Sequence, residues 1–334
     1  MNTARLAQSG FDASPDPAAN HDGATLPVMS SHRRRRPTHP GHPRFWGTWC
    51  ALTLLRAIAA LPEAWHPALG RTLGRVARHT LRRRRSIVRT NLELCFPELG
   101  PESRLQLERR HFEAAGLSLL ETARAWFQDL GPLDARLHVE GGEHLDAALA
   151  TGNGVLLAGA HFLTLEIVCA LVARRWPLDA VYRPQRNPAL ERIQLRGRHH
   201  YDAVIDHRDL RQLMRRLRAG HAVWFAADQD HGARRSEFVP FFGIAAATLT
   251  STSRLAKLTG ARVLLMQHWR NADDHSWTVR FRPLPEPFPG ADPRSDAAVL
   301  NASLERAVAE HPEQYLWLHR RFKTRPAGEP ARYS

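Results

Sequence analysis

The sequence predicts an α/β fold in which a mostly parallel sheet is covered by helices, preceded by an N-terminal membrane-anchoring helix. Two patterns predict the sheet. Short apolar runs bounded by turn residues are typical of buried strands, and they alternate with segments of helical periodicity in the part of the chain after residue 100. Such alternation is typical of βαβ units, whose strands lie parallel. A third pattern, an apolar stretch near the N-terminus, predicts the anchor.

The predicted elements follow one another in a regular order. A long amphipathic helix is expected to begin at Pro101 and to continue through Trp126. The apolar segment 238–243 is predicted to be a loop that either contacts an apolar ligand or fills the core. Strands are predicted at 137–139, 155–157, 178–182, 203–205, 222–226, 262–267 and 277–281. Further helices are predicted at 144–150, 162–175, 188–199, 210–218, 250–258 and 297–310.

Composition limits the partners and the compartment. Lys and Arg number 47 against 33 Asp and Glu, which gives a net charge of +14, and almost all of the basic residues are arginines. This balance favours an anionic partner such as nucleic acid, anionic lipid or a phosphorylated substrate. The three cysteines, Cys50, Cys95 and Cys169, are widely spaced and odd in number. They form neither a disulfide framework nor a zinc-site spacing, so a reducing cytosolic setting fits best.

The N-terminal part divides into three predicted regions. Residues 1–43 are rich in Pro, Ala, Ser and Asp and contain four consecutive arginines, which is typical of a disordered basic leader. Residues 44–66 are predicted to be a membrane-anchor helix, because an apolar run lies between tryptophans that suit a membrane interface. Arg56 interrupts this run, and a buried amphipathic helix is the alternative. The catalytic domain is assigned to residues 67–334.

A histidine at the tip of a predicted strand is the strongest candidate for chemistry. His161 follows the buried run that ends at Gly159, and Glu166 lies five positions further, in the predicted helix. Open α/β sheets keep their ligands at such strand-to-helix turns. An imidazole oriented by a carboxylate is suited to remove the proton of a hydroxyl group. We therefore predict that His161 and Glu166 are catalytic.

Other charged residues come directly after predicted strands. Arg183 follows one strand, and Asp228 and Asp230 follow another. Because the carboxyl ends of parallel strands lie along one edge of the sheet, these side chains are expected to lie near His161 and to bind substrate. For Arg183 the alternative is a surface position, and for Asp228 it is a cap of the turn.

The C-terminal segment 312–326 alternates aromatic residues with cations and includes Arg320. Such a segment is suited to bind phosphate or to stack on bases. No nucleic-acid-binding motif accompanies it, so phosphate on a glycolipid is preferred and Arg320 is predicted to bind substrate.

Taken together, these segments resemble the late-acting lipid A biosynthesis acyltransferases, the lauroyl and myristoyl transferases of lipopolysaccharide synthesis. The resemblance runs from residue 45 to residue 333. It depends on the His161-x4-Glu166 pair and on an ordered set of segments. These segments are 91–98, 182–184, 222–230, 238–242 and 312–326.

The resemblance implies a glycerolipid-acyltransferase-like domain at the cytoplasmic face of the bacterial inner membrane. It implies transfer of an acyl chain, lauroyl or myristoyl, from an acyl-carrier-protein thioester to a 3-hydroxyl of an acyl chain on a Kdo-bearing lipid A precursor. The family's histidine and glutamate correspond to His161 and Glu166, its arginine to Arg183 and its aspartate to Asp228. No cofactor, metal or nucleic acid is implied. Arg56 departs from the family's apolar anchor helix.

Two alternatives to this function stay open at this point. An enzyme of the same fold could acylate another membrane lipid, because acceptor choice depends on the shape of the pocket. A non-catalytic basic adaptor of membranes or nucleic acid could also account for the charge, but it would not need the His161 and Glu166 pair.

Overall fold

A seven-stranded sheet organises the part of the chain that the structure, a computed structural model, describes, namely residues 39–272 and 275–333 apart from the Arg235 side chain. The strand order is β1-β9-β8-β2-β5-β3-β4. Most of the predicted leader lies outside the described residues. The strands are β1 (Leu137–Glu140), β2 (Val155–Gly159), β3 (Leu178–Tyr182), β4 (Ala203–Asp206), β5 (Ala222–Ala226), β6 (Ser236–Phe241), β7 (Ile244–Leu249), β8 (Arg262–Arg270) and β9 (Trp277–Pro283).

The predicted mostly parallel sheet is confirmed. Strands β2, β3, β4, β5 and β8 run in one direction. Strand β9 is antiparallel to β8, and β1 is parallel to β9, so these two run the other way. Strand β2 lies at the centre and all five of its residues are buried, which explains its continuous apolar sequence.

Helices cover both faces of this sheet, and each face has its own apolar core. Leu156 and Ala158 of β2 belong to one core, whereas Val155 and Leu157 belong to the other, as the alternation of side chains along a strand requires. The helices are α1 (Trp46–Ala59), α2 (His66–Thr80), α3 (Arg82–Cys95), α4 (Pro101–Phe127), α5 (Gly142–Ala150), α6 (Leu165–Val172), α7 (Pro188–Gly197), α8 (Leu210–Arg218), α9 (Ser251–Thr259) and α10 (Pro293–Glu310).

The predicted anchor over residues 44–66 is not one continuous helix. Helix α1 ends at Ala59, and Pro62 lies in the turn before α2, because proline cannot continue a helix. Among the described residues, no single helix has both the length and the apolar composition needed to cross a membrane. The helical segments Pro43–Ala59 and Glu63–Thr80 have the required length and apolar composition when they are taken together, but the chain bends by 112° between them.

The apolar segment predicted to be a loop is instead half of a hairpin. Strands β6 and β7 pair antiparallel, and Phe242 and Gly243 form the turn between them with positive φ angles of 51° and 72°. Phe241 is fully buried and the hairpin packs against α10, so the segment fills the core. The loop prediction was wrong because the partner strand is rich in alanine and has a weak strand pattern.

The helix expected at 162–175 is shorter than predicted. Phe162 pairs with Tyr315 of the C-terminal segment in an isolated bridge, and α6 begins only at Leu165. Tertiary contact therefore overrides the helical periodicity in the three residues after His161. This late start changes the direction in which Glu166 points.

Candidate active site

The central strands bring His161 and Asp228 together. Strands β2 and β5 are parallel neighbours, and their register pairs Gly159 with Ala226. His161 and Asp228 each lie two residues beyond this last pair, at the same edge of the sheet. The sequence predicted this edge as the site, and these two predicted residues do meet there.

Asp228 binds the histidine at two points. One carboxylate oxygen of Asp228, Oδ1, lies 2.7 Å from Nδ1 of His161, and the other accepts a hydrogen bond of 2.9 Å from the His161 backbone N–H. Because a carboxylate only accepts, Nδ1 carries the proton and Nε2 is left as the basic nitrogen. The side-chain amide of Gln229 lies 3.3 Å from Nε2. The ring is therefore fixed in the tautomer that a general base needs.

Trp224 of β5 packs against the His161 ring. Its indole packs edge-on against His161, with ring centroids 5.7 Å apart. Gly159 of β2 lies against the indole, because a Cβ at this position would lie 2.6 Å from the indole nitrogen. Only glycine at position 159 leaves room for the Trp224 indole, which in turn contacts the imidazole edge-on.

Burial and charge compete at His161. Burial lowers the pKa of His161, but the negative charge of Asp228 and the hydrogen bond to it prevail, so the pKa lies above its ordinary value. Burial alone would raise the pKa of Asp228, whereas the His161 ring holds it well below its usual range. Asp228 therefore stays ionised and stabilises the imidazolium form of its partner.

The expectation that Glu166 orients the ring is corrected by the structure. The Glu166 carboxylate is bound by the Arg198 guanidinium and accepts a hydrogen bond of 2.9 Å from Trp126 Nε1. Asp228 makes the ring contact that was assigned to Glu166. The reason is the late start of α6, which directs Glu166 toward α7 and α4. Glu166 still lies close enough for its charge to favour protonation of His161.

Asp230 holds the C-terminal segment in place. Its carboxylate accepts hydrogen bonds from the backbone and the hydroxyl of Thr324, at 2.6 and 2.8 Å, and from the backbone of Gly232 at 2.8 Å. Its own backbone N–H donates to His319 Nε2. With these bonds Asp230 is buried and occupied by protein groups, so the structure gives it a structural contact where substrate binding was predicted.

The two predicted arginines lie in different surroundings. Arg183 is exposed at the carboxyl end of β3, on the same edge of the sheet as His161, and its charge reaches His231. Arg320 lies with its guanidinium 5.6 Å from the centre of the Tyr333 ring. Within the described residues, Arg183 makes no hydrogen bond to His161.

Sequence reasoning missed two buried residues of the C-terminal segment. Tyr315 is buried and hydrogen-bonds to Asp228, and burial together with the Asp228 charge raises the pKa of its hydroxyl. Arg321 is buried against the hairpin, where it donates to Ala247 O and Thr248 Oγ1. Its charge also lowers the pKa of Asp228. The alternation of aromatic residues and cations in 312–326 was the available signal, but it did not distinguish the buried Arg321 from the more accessible Arg320 and Lys323.

A trio of metal-type side chains lies at the opposite edge of the sheet. Atoms of Asp179, Asp202 and His221 lie within 4.8 Å of one another. Arg216 donates two hydrogen bonds, of 2.7 and 2.8 Å, to the buried Asp179 carboxylate. A guanidinium thus already neutralises this carboxylate, and the trio has the character of an ion-pair network rather than a metal centre.

Comparison with known proteins decides the family. Residues 34–324 match the family described as bacterial lipid A biosynthesis acyltransferase. The chain belongs to this family. It is 40% identical over 294 residues to the lipid A biosynthesis palmitoleoyltransferase of Escherichia coli K12, covering 87% of this chain and 96% of the relative. It is 39% identical, with the same coverage, to the lauroyltransferase of that strain, and 28% identical to the myristoyltransferase over 86% of this chain and 90% of the relative.

Family membership confirms the resemblance and makes this protein an acyltransferase. The adaptor hypothesis is therefore wrong. The site agrees with the chemistry of acyl transfer, because it presents one basic nitrogen with its second nitrogen held by an ionised carboxylate. A dyad of this kind removes a hydroxyl proton and stabilises the resulting imidazolium.

Proposed function

We propose that this acyltransferase moves a fatty acyl chain from an acyl-carrier-protein thioester to the 3-hydroxyl of an acyl chain on a Kdo-bearing lipid A precursor. The observation that carries the proposal is the His161 ring, whose Nδ1 lies 2.7 Å from Asp228 and whose side chain is 23% exposed. The names of the relatives, all of lipid A biosynthesis, support the acceptor.

In the proposed reaction His161 acts as the general base. Nε2 takes the proton of the acceptor hydroxyl while its oxygen attacks the thioester carbonyl. The tetrahedral intermediate then collapses, the carbon–sulfur bond breaks, and the leaving thiolate takes the proton from the imidazolium. The products are an ester and a free carrier thiol. Asp228 stabilises the imidazolium between the two steps, and positioned general-base catalysis contributes about 10²–10⁴-fold.

Neighbouring residues complete the proposed site. The Gln229 amide, 3.3 Å from Nε2, is well placed to donate to the oxygen that becomes negative. Glu166 is proposed to hold Arg198 beside the ring, where the pair sets the local charge. Arg183, exposed at the same edge, is proposed to contact the phosphate of the donor or acceptor. No cofactor or metal enters this scheme.

We also propose attachment to the cytoplasmic face of the bacterial inner membrane. Two exposed tryptophans, Trp46 before and Trp65 after the bend between α1 and α2, support it, each with 62% of its surface accessible. Leu54 on α1 and Val76 on α2 add exposed apolar surface, and arginines of α2 lie nearby. Such a combination suits the membrane interface. The acidic acyl carrier protein is the proposed partner of the remaining basic surface.

The proposed acyl chain is lauroyl or myristoyl. The identities to the palmitoleoyl and lauroyl transferases differ by one percentage point, so similarity alone does not select the chain. One buried methylene group contributes only about 0.8 kcal/mol, so burial by itself selects chain length weakly. We propose that the wall of the acyl-binding site determines which chain is transferred.

The decisive experiment incubates the purified protein with a panel of acyl-carrier thioesters and a Kdo-bearing lipid A precursor, and follows the product by mass. We expect addition of one acyl chain, lost in His161→Ala and kept in His144→Ala, which changes an exposed histidine on α5. Transfer only to a phospholipid acceptor would instead select the alternative membrane lipid. Full activity of a folded His161→Ala variant would refute the mechanism.

A further inference from the structure

Three arginines surround one buried carboxylate at the junction of α2, α3 and α4. Nε of Arg78 and Nε of Arg85 each lie 2.7 Å from Glu108 Oε1, and Nε of Arg89 lies 2.6 Å from Oε2. Glu108 is 1% exposed. We call Arg78, Arg85 and Arg89 the arginine cluster. It lies outside the His161 site, and acyl transfer chemistry does not use it.

The helices are packed so that these side chains must converge. Helices α2 and α4 approach closely at glycines, since a Cβ on Gly116 would lie 2.0 Å from the carbonyl oxygen of Gly70. Arg85 and Arg89 are one helical turn apart on α3 and therefore share a face. Glu108 of α4 is the carboxylate that all three arginines contact.

The charges of the cluster do not balance. Three guanidinium groups and one carboxylate leave an excess of two positive charges within a few ångströms of one another. Three more arginines, Arg82, Arg83 and Arg84, precede Arg85 at the start of α3, whose first turn has no acidic residue. Positive side chains are unfavourable at a helix N-terminus. In contrast, Arg75, one turn earlier on α2, has its own carboxylate in Glu113.

The cluster also has unused donors. Each of its three arginines binds Glu108 through Nε, and their Nη groups donate no hydrogen bond to protein within the described residues. The side chains are 11%, 27% and 48% exposed for Arg78, Arg85 and Arg89, so the Nη groups reach the surface from a partly buried base. Arginine forks of this kind match the oxygens of a phosphate group.

We propose that the arginine cluster binds the phosphate group of a lipid. A phosphate monoester carries between one and two negative charges at neutral pH, which matches the excess of two positive charges. Glu108 holds the three arginines in place through Nε and leaves their Nη groups to the ligand. The phosphate belongs either to the acceptor lipid or to a lipid of the surrounding membrane.

The position of the cluster agrees with a lipid that also reaches the active site. Helix α4 carries both Glu108 and Ser118, and the Ser118 hydroxyl donates to the backbone of Leu163, close to His161. Ten residues of helix correspond to about 15 Å. On the other side, Arg84 Nη1 of α3 donates to Leu318 O at 3.1 Å, in the segment that packs against His161. The acceptor form of this inference rests on the proposed function, whereas the membrane form does not.

The test uses Arg89→Gln, because Arg89 is the most exposed of the three and its replacement leaves Glu108 two partners. In the transfer assay we compare a phosphorylated lipid A precursor with its dephosphorylated form. In a separate assay we measure binding of the full-length protein to phosphatidylcholine vesicles with and without phosphatidic acid. Arg75→Gln is the matched control, since it removes an arginine of α2 whose partner is Glu113. Melting temperatures verify that the variants are folded.

If the acceptor supplies the phosphate, Arg89→Gln raises KM for the phosphorylated precursor about tenfold, because one charge-assisted hydrogen bond is lost. The variant leaves kcat and the KM for the dephosphorylated precursor unchanged. If a membrane lipid supplies it, the variant loses the gain in vesicle binding that phosphatidic acid gives, with KM unchanged in detergent. Either result supports the phosphate site, and Arg89→Lys should recover part of the lost affinity in the same assay. The same KM and the same vesicle binding as in the Arg75→Gln control would overturn it. The vesicle assay needs no acyl transfer, so failure of the proposed function is recognised separately.

Discussion

Asp228 and Glu108 are both buried carboxylates, but their partners make them different. Asp228 faces one imidazole, whose charge depends on pH, and the two groups share a proton-dependent interaction. Glu108 faces three guanidinium groups, which stay charged at all ordinary pH values. The first arrangement can move a proton, whereas the second can only hold a fixed charge. The comparison teaches that the partner of a buried carboxylate, more than its burial, decides what chemistry the position supports.

The largest effect is expected for Asp228→Asn. The amide removes the charge that raises the pKa of His161 and leaves the ring free to adopt the wrong tautomer, so kcat should fall by about 10²–10⁴-fold. The base must be neutral to act, so in the wild type kcat rises with pH through the raised pKa of His161. In the variant this rise should move to lower pH. A pH profile of the transfer rate measures both changes.

Asp230→Asn is the matched control for this prediction, because Asp230 is equally buried and lies two residues away. Its bonds to Thr324 and Gly232 are structural, so we expect a lower melting temperature and an unmoved pH profile. If both variants shifted the profile alike, the special role of Asp228 would be refuted.

Next in size is the effect of Glu108→Gln on stability. Removal of the one negative charge leaves three arginines without compensation, so the free energy of unfolding should fall by about 3 kcal/mol. Urea unfolding measures the loss, and added inorganic phosphate should restore more stability to the variant than to the wild type. The control is Glu113→Gln, which breaks the exposed pair with Arg75 and should cost less than about 1 kcal/mol. Equal losses in the two variants would contradict the distinction.

A smaller effect on catalysis is expected for Glu166→Gln. Its carboxylate binds Arg198 and Trp126 instead of the catalytic ring. We expect kcat to fall about tenfold, because the pair sets the charge beside the ring but does not contact it. A loss as large as that of Asp228→Asn would assign the orienting role to Glu166 after all. Steady-state kinetics on both variants, prepared side by side, decides between the two.

Stability in acid depends on two buried histidines that lack a carboxylate partner. Burial lowers the pKa of His268 to about 3 and that of His111 to about 4. Below the ordinary pKa of histidine, the unfolded chain binds protons that the folded chain does not bind. The free energy of unfolding should therefore fall by at most about 1.4 kcal/mol per pH unit for each histidine. His161 has the opposite sign, since its raised pKa adds stability at low pH that is lost as pH rises. Unfolding curves between pH 7 and about pH 4.5 measure the acid loss. Stability that stayed constant over this range would contradict the buried neutral state.

Sequence reasoning predicted most of the fold because its signals are local. The apolar runs gave the seven strands of the sheet, with boundaries that moved by a few residues. The hairpin turn at Phe242 was missed, because the alanine-rich strand after it has a weak pattern. The anchor was predicted as one helix, although Pro62 lies where the chain bends. The arginine cluster was also missed, because the close packing of α2 against α4 at glycines produces no periodic pattern in the sequence.

The positions of His161 and Asp228 just past the ends of buried strands follow from local composition, because apolar runs and turn residues are visible along the chain. That Asp228 and not Glu166 binds the ring follows only from the three-dimensional fold. The two residues of the pair are 67 positions apart, and the register of β2 against β5 brings them together. Glu166 is near in sequence, but the bridge between Phe162 and Tyr315 delays α6 and directs it to Arg198. Proximity along the chain predicted a partner, and long-range strand pairing selected a different one.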